Sequence, residues 1–246
     1  MPLLCQPPRT IDPDLAYAAA VEERTDNAPA SRGGRHKRSV GVHTKFWATG
    51  RTLTVAWVDD PLDTEHWQAI QRAILQWQPH INLDLQFIDG REGQPGEGRG
   101  DVRITTDSNR NYSLIGTDAK HNDPWAPTMV LGVKPQASDF EATVMHEFGH
   151  ALGLEHEHQH PEANIPWDLA KLYRHYAKAG HSEQDVNEQV LAKLPKADTR
   201  YTAYDPESII HYPVPNDLTL GDWEVGRNTR LSDRDKALIA SIYPRS

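Results

Sequence analysis

From Leu53 onward the apolar residues fall into short, regular patterns. Leu53-Thr-Val-Ala-Trp-Val58 is a run of β-formers and predicts a strand. After Asp63, the residues Trp67, Ile70, Ile74 and Trp77 recur at helical spacing, which predicts an amphipathic helix capped by Asp63 and stopped by Pro79. Leu83, Leu85 and Phe87 alternate with polar residues and mark a second, half-buried strand. Asp101-Val-Arg-Ile-Thr105 alternates as a third, and Thr128-Met-Val-Leu131 is a short fourth. The glycines between Glu92 and Gly100 make a loop, and Ser108 to Pro127 reads as a polar, turn-rich connection. This order of elements predicts a mixed sheet with a helix packed on it.

The second half of the chain is helical in pattern. Ser138-Asp-Phe-Glu141 has the form of a capping box, so a helix is expected from Ser138 through Val144, Met145, Phe148 and Leu152. Gly153 is placed to end it in a left-handed turn. Leu169–Ala177 and Glu183–Lys193 read as further helices. Ser232-Asp-Arg-Asp235 opens a last one, with Ala237, Leu238, Ile239 and Ile242 as its expected apolar face. Residues 1–38 differ: they are proline-rich, have room for one short helix at Leu15–Val21, and close on the dibasic pair Lys37-Arg38. They read either as a flexible arm or as a pro-segment.

Composition narrows the class. The chain has 246 residues, 37% hydrophobic and 25% charged, which are the proportions of a globular protein and not of a fibrous or wholly disordered one. No stretch of 18 apolar residues occurs, and Met1-Pro-Leu-Leu-Cys5 runs into Gln6-Pro-Pro-Arg9 without the apolar core of a signal peptide. A membrane partner is therefore not expected. The net charge of −9 argues against nucleic acid, whose backbone calls for a basic face. The single cysteine, Cys5, excludes any intrachain disulfide. Among thirteen histidines, five fall between residues 146 and 160.

That cluster has the spacing of a metal site. His146 and His150, four residues apart on one helix, lie about 6 Å apart along its axis and about 40° apart around it, so both rings reach one ion. His156 lies too far along a continuing helix to join them, and Gly153 supplies the turn that brings it back. Three imidazoles holding a tetrahedral ion with one position left for water is the arrangement of catalytic zinc. Glu147, beside the first ligand, is placed to take a proton from that water. Gly149 in mid-helix suggests close approach of another element. His158 and His160, just beyond the third ligand, are expected at the surface or as neighbours of the site.

The string His146-Glu-Phe-Gly-His150-Ala-Leu-Gly153-Leu-Glu-His156 resembles the extended zinc signature of the metzincin metalloendopeptidases. Val144 to Leu154 is similar to the matrixin version, whereas His156-Glu157-His158 resembles astacins. Tyr204-Asp205-Pro-Glu-Ser208-Ile-Ile-His211-Tyr212-Pro213 is similar to the astacin turn that carries a Met beneath the metal, then a His, then a Tyr that approaches it. Trp47-Ala-Thr-Gly50, Gly116-Thr-Asp-Ala119 and the stretch from Leu231 to Tyr243 fit the same pattern, so the resemblance covers residues 39–244. Three positions depart from it. Ile210 stands where astacins have the Met, their disulfides cannot form, and His160 occupies a position that is usually Arg.

The resemblance implies an α+β fold, with a mixed twisted sheet and two helices in an N-terminal subdomain (39–153). A mostly irregular and helical C-terminal subdomain (154–246) would follow, with zinc in the cleft between. It implies a zinc-dependent endopeptidase acting on protein or peptide substrates as a monomer, with His146, His150 and His156 as ligands. Glu147 would be its general base. Tyr212 would stabilise the oxyanion and serve at rest as an additional ligand. The Thr128–Leu131 strand, as a sheet edge, would pair with extended substrate. Cleavage after Arg38 would free an amino terminus able to reach Glu157, and a Cys5 thiolate on zinc is an alternative form of latency. Secretion is favoured by the resemblance but by nothing in the chain. An inactive zinc-binding effector module and a zinc hydrolase of a non-protein amide remain the competing classes.

Overall fold

The predicted strands assemble into one five-stranded sheet in the computed structural model, which describes residues 11–28, 43–61, 63–92, 99–196 and 201–245. β1 (Thr52–Trp57) lies between β2 (Asp84–Asp89) and β3 (Val102–Thr105), parallel to both. β3 pairs in parallel with Met129–Leu131 on its other side. The strand not foreseen is Asn111–Ser113, inside the stretch expected to be a connection. Three residues with two polar side chains carry no alternation to read, and only pairing makes them a strand. In chain order it is β4 and Met129–Leu131 is β5; the two pair antiparallel, and the sheet runs β2-β1-β3-β5-β4. The edge expected at Thr128–Leu131 therefore belongs to β4, because β5 is hydrogen-bonded on both sides.

Two helices cover the sheet. α2 (Thr64–Ile74) starts at Asp63, whose carboxylate accepts from His66 N at 3.0 Å, as expected. The metal-site helix α3 (Phe140–Ala151) starts two residues later than its capping box predicts. The chain turns tightly first, Ala137 N bonding Lys134 O and Phe140 N bonding Ala137 O. Asp139 occupies the cap position without capping, its carboxylate being paired with Arg227. The other end follows expectation. Gly153 has φ +98°, its N–H bonds His150 O, and Leu154 N bonds Gly149 O, the paired closure of a helix ended by a left-handed residue.

The core is built on Trp47, Trp57, Trp77, Leu53, Ile70, Phe148 and Tyr243, all essentially inaccessible. Buried polar tips among them are used: Trp77 Nε1 donates to Met145 O (3.1 Å), Trp47 Nε1 to Ala151 O (2.8 Å) and Tyr243 Oη to Leu152 O (2.7 Å). Three separate segments thereby grip the metal-site helix. A second, smaller core joins Leu172 and Tyr176 of α4 (Leu169–Lys178) to Val186, Val190 and Leu218. Val186 ends the one-turn α5 (Glu183–Val186), which continues as a π-helical turn, Asn187–Leu191. α6 (Asp233–Ile242) begins at the expected Ser232–Asp235 capping box. Ile239 and Ile242 are buried, but Ala237 is exposed, so the apolar face is narrower than its sequence suggests.

Part of the N-terminal segment is seated on the body. α1 (Pro13–Glu23) outruns the expected Leu15–Val21 because Asp12 caps it ahead of Pro13. It buries Ala16, Ala19 and Ala20. Glu23 accepts from Ala48 N (3.0 Å), Arg51 (2.8 Å) and Lys120 (2.9 Å), and Arg24 donates to Ile242 O (2.8 Å). Residues 11–28 are thus a docked helix and not a flexible arm; residues 1–10 and 29–38, with Cys5, Lys37 and Arg38, lie outside the described residues. No helix among the described residues is long and apolar enough to cross a membrane.

Gly149 is the tightest point between α3 and the later turn. A Cβ there would stand 2.3 Å from Ile210 Cδ1 and 3.2 Å from Trp77 Cζ2, both in side chains that are buried. Gly149→Ala is expected to destabilise the protein by about 1–3 kcal/mol, the usual cost of overpacking. Thermal unfolding checks this, and an unchanged midpoint contradicts it.

Candidate metal centre

α3 and its closing turn bring the three predicted ligands together. His146 Nδ1 donates to Ile209 O at 2.8 Å, and His150 Nδ1 donates to Leu154 O at 2.7 Å. Each bond fixes the tautomer, so the opposite nitrogen, Nε2, carries a lone pair and no proton. These Nε2 atoms converge with that of His156: His146–His150 are 3.2 Å apart, His150–His156 3.0 Å and His146–His156 3.4 Å. Tetrahedral zinc with Zn–N bonds of 2.0–2.1 Å needs nitrogens about 3.3 Å apart. Two fixed lone pairs and a third imidazole nitrogen converging at that spacing suit a cation at their centre, so the residues present fit zinc.

Burial keeps these rings neutral. It pushes His146 down to about 3 and His150 to about 4, with the neighbouring imidazole reinforcing it for His146, and holds His156 well below its usual value. Glu147 is buried next to the first ligand, and with His146, Tyr212, Arg110, Asn111 and Arg227 it lines a cleft of about 290 Å³. A larger polar groove, about 860 Å³ along α2 and the start of α3, contains none of these groups.

The turn after Ser208 closes beneath the helix. Ser208 Oγ and Ile209 N both bond the Asp235 carboxylate (2.6 and 2.8 Å), which ties the turn to the cap of α6. Ile210, buried to 2%, fills the notch left by Gly149. His211 Nδ1 donates to Tyr212 O (2.6 Å), and Tyr204 Oη donates to His211 Nε2 (2.7 Å). Tyr212 lies against the ligands, its ring 4.2 Å from that of His156 and 5.9 Å from that of His146.

His158 and His160 are neighbours and not surface residues, each only 4% exposed. His158 Nε2 donates to Gln189 O and His160 Nε2 to Thr202 O, both at 3.0 Å. Glu157 accepts from Asp205 N at 2.8 Å, and burial together with the Asp235 and Asp205 carboxylates pushes it up to about 8. Tyr204 and the Asp205–Ser232–Asp235 network escape a sequence reading as site residues. The signals for them are the likeness of the 204–213 segment to an astacin turn and the Ser232–Asp235 capping box, neither of which points to the site by itself.

A family model described as Astacin, a peptidase family, matches residues 41–219. The chain belongs to the astacin family. Zinc metalloproteinase nas-38 of Caenorhabditis elegans is 26% identical over 189 residues, which are 74% of this chain and 22% of that protein. The chain therefore spans about a fifth of the length of this curated relative. Two structures of myroilysin are similar at 36% and 33% identity, with TM-scores of 0.74 and 0.60. They cover 82% and 90% of this chain, and 97% and 96% of theirs. High choriolytic enzyme 1, a hatching enzyme zinc-protease of Oryzias latipes, shares the fold at a TM-score of 0.56 and 15% identity, covering 82% of this chain and 96% of its own. The chain is α+β in class, as expected, and its three imidazoles are a group able to hold a metal ion, in keeping with the zinc of the astacin family. Its departures from the family's pattern are local: Ile210 keeps an apolar contact under α3 without sulfur, and a single Cys allows no disulfide between the two cores.

The buried histidines make metal-free stability depend on pH. Between about pH 4 and 6.5 the unfolded chain takes up protons that the native rings do not. Their contribution is therefore present above pH 6.5 and lost as the pH falls through that window; Glu157, raised to about 8, acts in the opposite sense. The thermal midpoint of chelator-stripped protein is expected to drop from pH 7 to 4.5, and less steeply in His158→Phe. Equal slopes in the two proteins contradict the assignment.

Proposed function

We propose that this protein is an endopeptidase that hydrolyses peptide bonds in extended protein or peptide substrates, with zinc held by His146, His150 and His156. The observation that carries the reading is the convergence of three imidazole Nε2 atoms, 3.0–3.4 Å apart, two of them fixed as unprotonated by their Nδ1 bonds, with Glu147 adjoining the first ligand in the same cleft. Zinc, when bound, supplies the acidity that makes water a nucleophile near neutral pH and polarises the scissile carbonyl. Glu147 accepts the water's proton and delivers it to the leaving amine, a transfer its burial favours by excluding competing solvent. Tyr212 donates its phenolic hydrogen to the oxyanion, and at rest it serves as an additional ligand. β4 takes the role expected of Thr128–Leu131: it lies at the sheet edge, Asn111 lines the cleft, and an extended substrate can add to it as a further strand.

Glu147→Ala is expected to retain one zinc and lose casein cleavage by at least about 10²-fold. Cleavage at the parental rate overturns the general-base role. A casein zymogram with and without chelator separates the endopeptidase from an inactive effector module and from a hydrolase of non-protein amides.

The N-terminal segment belongs to the same reading. Cleavage after Arg38 would leave an amino terminus at Ser39, on the chain that enters the body at His43. A small cavity of about 90 Å³ lined by His43, Lys45, Glu155, Glu157 and Asp235 lies beside that entry, and Glu157 holds its proton there in the absence of a cation. The hydrogen bonds of Glu23, Arg24 and Asn27 reach residues 44–51, 120 and 242, and Tyr17 of α1 meets His43 edge-on at 5.4 Å; none of these partners lines the cleft that holds Glu147. Mass spectrometry of the active species is expected to show a chain beginning at Ser39. Full activity in the intact 27.7 kDa chain overturns activation by cleavage.

A further inference from the structure

Tyr212 sits on a turn, half-buried, and its ring needs a surface to lie against. His158 supplies one. The imidazole is 4.7 Å from the phenol, centroid to centroid, and inclined by 21°, a stacked pair. The ring is itself immobilised: it is 4% exposed, and Nε2 donates to Gln189 O at 3.0 Å. Gln189 lies in the π-helical turn whose Val190 belongs to the second core, and Tyr212 packs against that core as well. Single π-turns of this kind recur at functional sites. The other nitrogen of His158, Nδ1, is buried with no hydrogen-bond partner among the described residues. An unsatisfied buried acceptor is destabilising, and an apolar ring would fill the space without it. What histidine adds at this place is a flat face held in one orientation by a directional bond.

We propose that His158 is a positioning residue for Tyr212: anchored on the Gln189 carbonyl, it fixes the plane in which the phenol approaches the metal centre and the substrate oxyanion. This rests on the peptidase reading above. The second core thereby reaches the site through one aromatic stack, so that the packing of α4 and the π-turn tunes a group whose ring also lies against His146 of the metal-site helix.

A double-mutant cycle on a short fluorogenic peptide tests it. His158→Leu is expected to lower kcat about ten-fold with KM and zinc content unchanged, a fraction of what a lost oxyanion donor costs. In a Tyr212→Phe background the same change is expected to lower kcat less than about two-fold, because the group it acts through is gone. His158→Phe, which keeps an aromatic face but loses the bond to Gln189 O, is expected to recover only part of the loss; if the leucine variant fails to fold, His158→Ala takes its place in the cycle. A reading without turnover uses metal-free protein labelled at its eight tyrosines. The ring resonance assigned to Tyr212 by its absence from Tyr212→Phe is expected to shift and broaden in His158→Leu. Equal losses of kcat in both backgrounds, or an unmoved resonance, overturn the inference while the parental protein still cleaves peptide. A parental protein that cleaves no peptide overturns the peptidase reading and this inference with it.

Discussion

Three imidazole nitrogens are held within 3.4 Å of one another, two of them with lone pairs fixed inward, and most of the structure can be understood as what that requires. Lone pairs so placed repel, and a cation at the centre makes the arrangement favourable. Without one the fold has to hold the rings in place by other means. It does so through the outer nitrogens of two of them: Ile209 O takes the proton of His146 and Leu154 O that of His150. Both carbonyls come from segments that fold back on α3, so the turn at Gly153 and the turn at Ser208–Tyr212 are part of the metal centre. They set its tautomers as well as its shape.

The same two turns explain the packing beneath the site. Gly149 has no side chain because Ile210 occupies the space, and Trp77, three residues beyond the end of α2, closes the gap. The turn that places Ile210 is pinned by Asp235, which at once caps α6 and accepts from Ser208 and Ile209. Ile210 makes this contact through its apolar volume, with no sulfur involved. Function and fold are therefore coupled through few residues. The second core adds a parallel route, by way of His158, to the phenol of Tyr212.

Much of this is legible in the chain before it folds. His146, Glu147, His150 and His156 can be placed because an α-helix has a fixed period and a glycine at the right offset has a known use. The amphipathic helix after Asp63 and the capping box at Ser232 are equally plain, since each depends on neighbours in sequence. The departures share one character. β4 has no pattern of its own and exists by pairing with β5, so a reading of patterns puts the sheet edge on the wrong strand. Ser138 has the letters of a cap, but the chain turns through Ala137–Phe140 and the neighbouring Asp139 pairs with Arg227.

Local sequence is enough to say which residues can bind a metal, which helix carries them and where that helix must stop. These are short-range consequences of backbone geometry and residue chemistry. Three other outcomes needed the folded chain: that β4 forms the edge of the cleft, that the helix at Pro13–Glu23 is docked through Glu23 and Arg24, and that His158 lies buried against Tyr212 instead of facing solvent. They depend on contacts between segments far apart in the chain. A residue's own neighbours do not encode what will be packed against it.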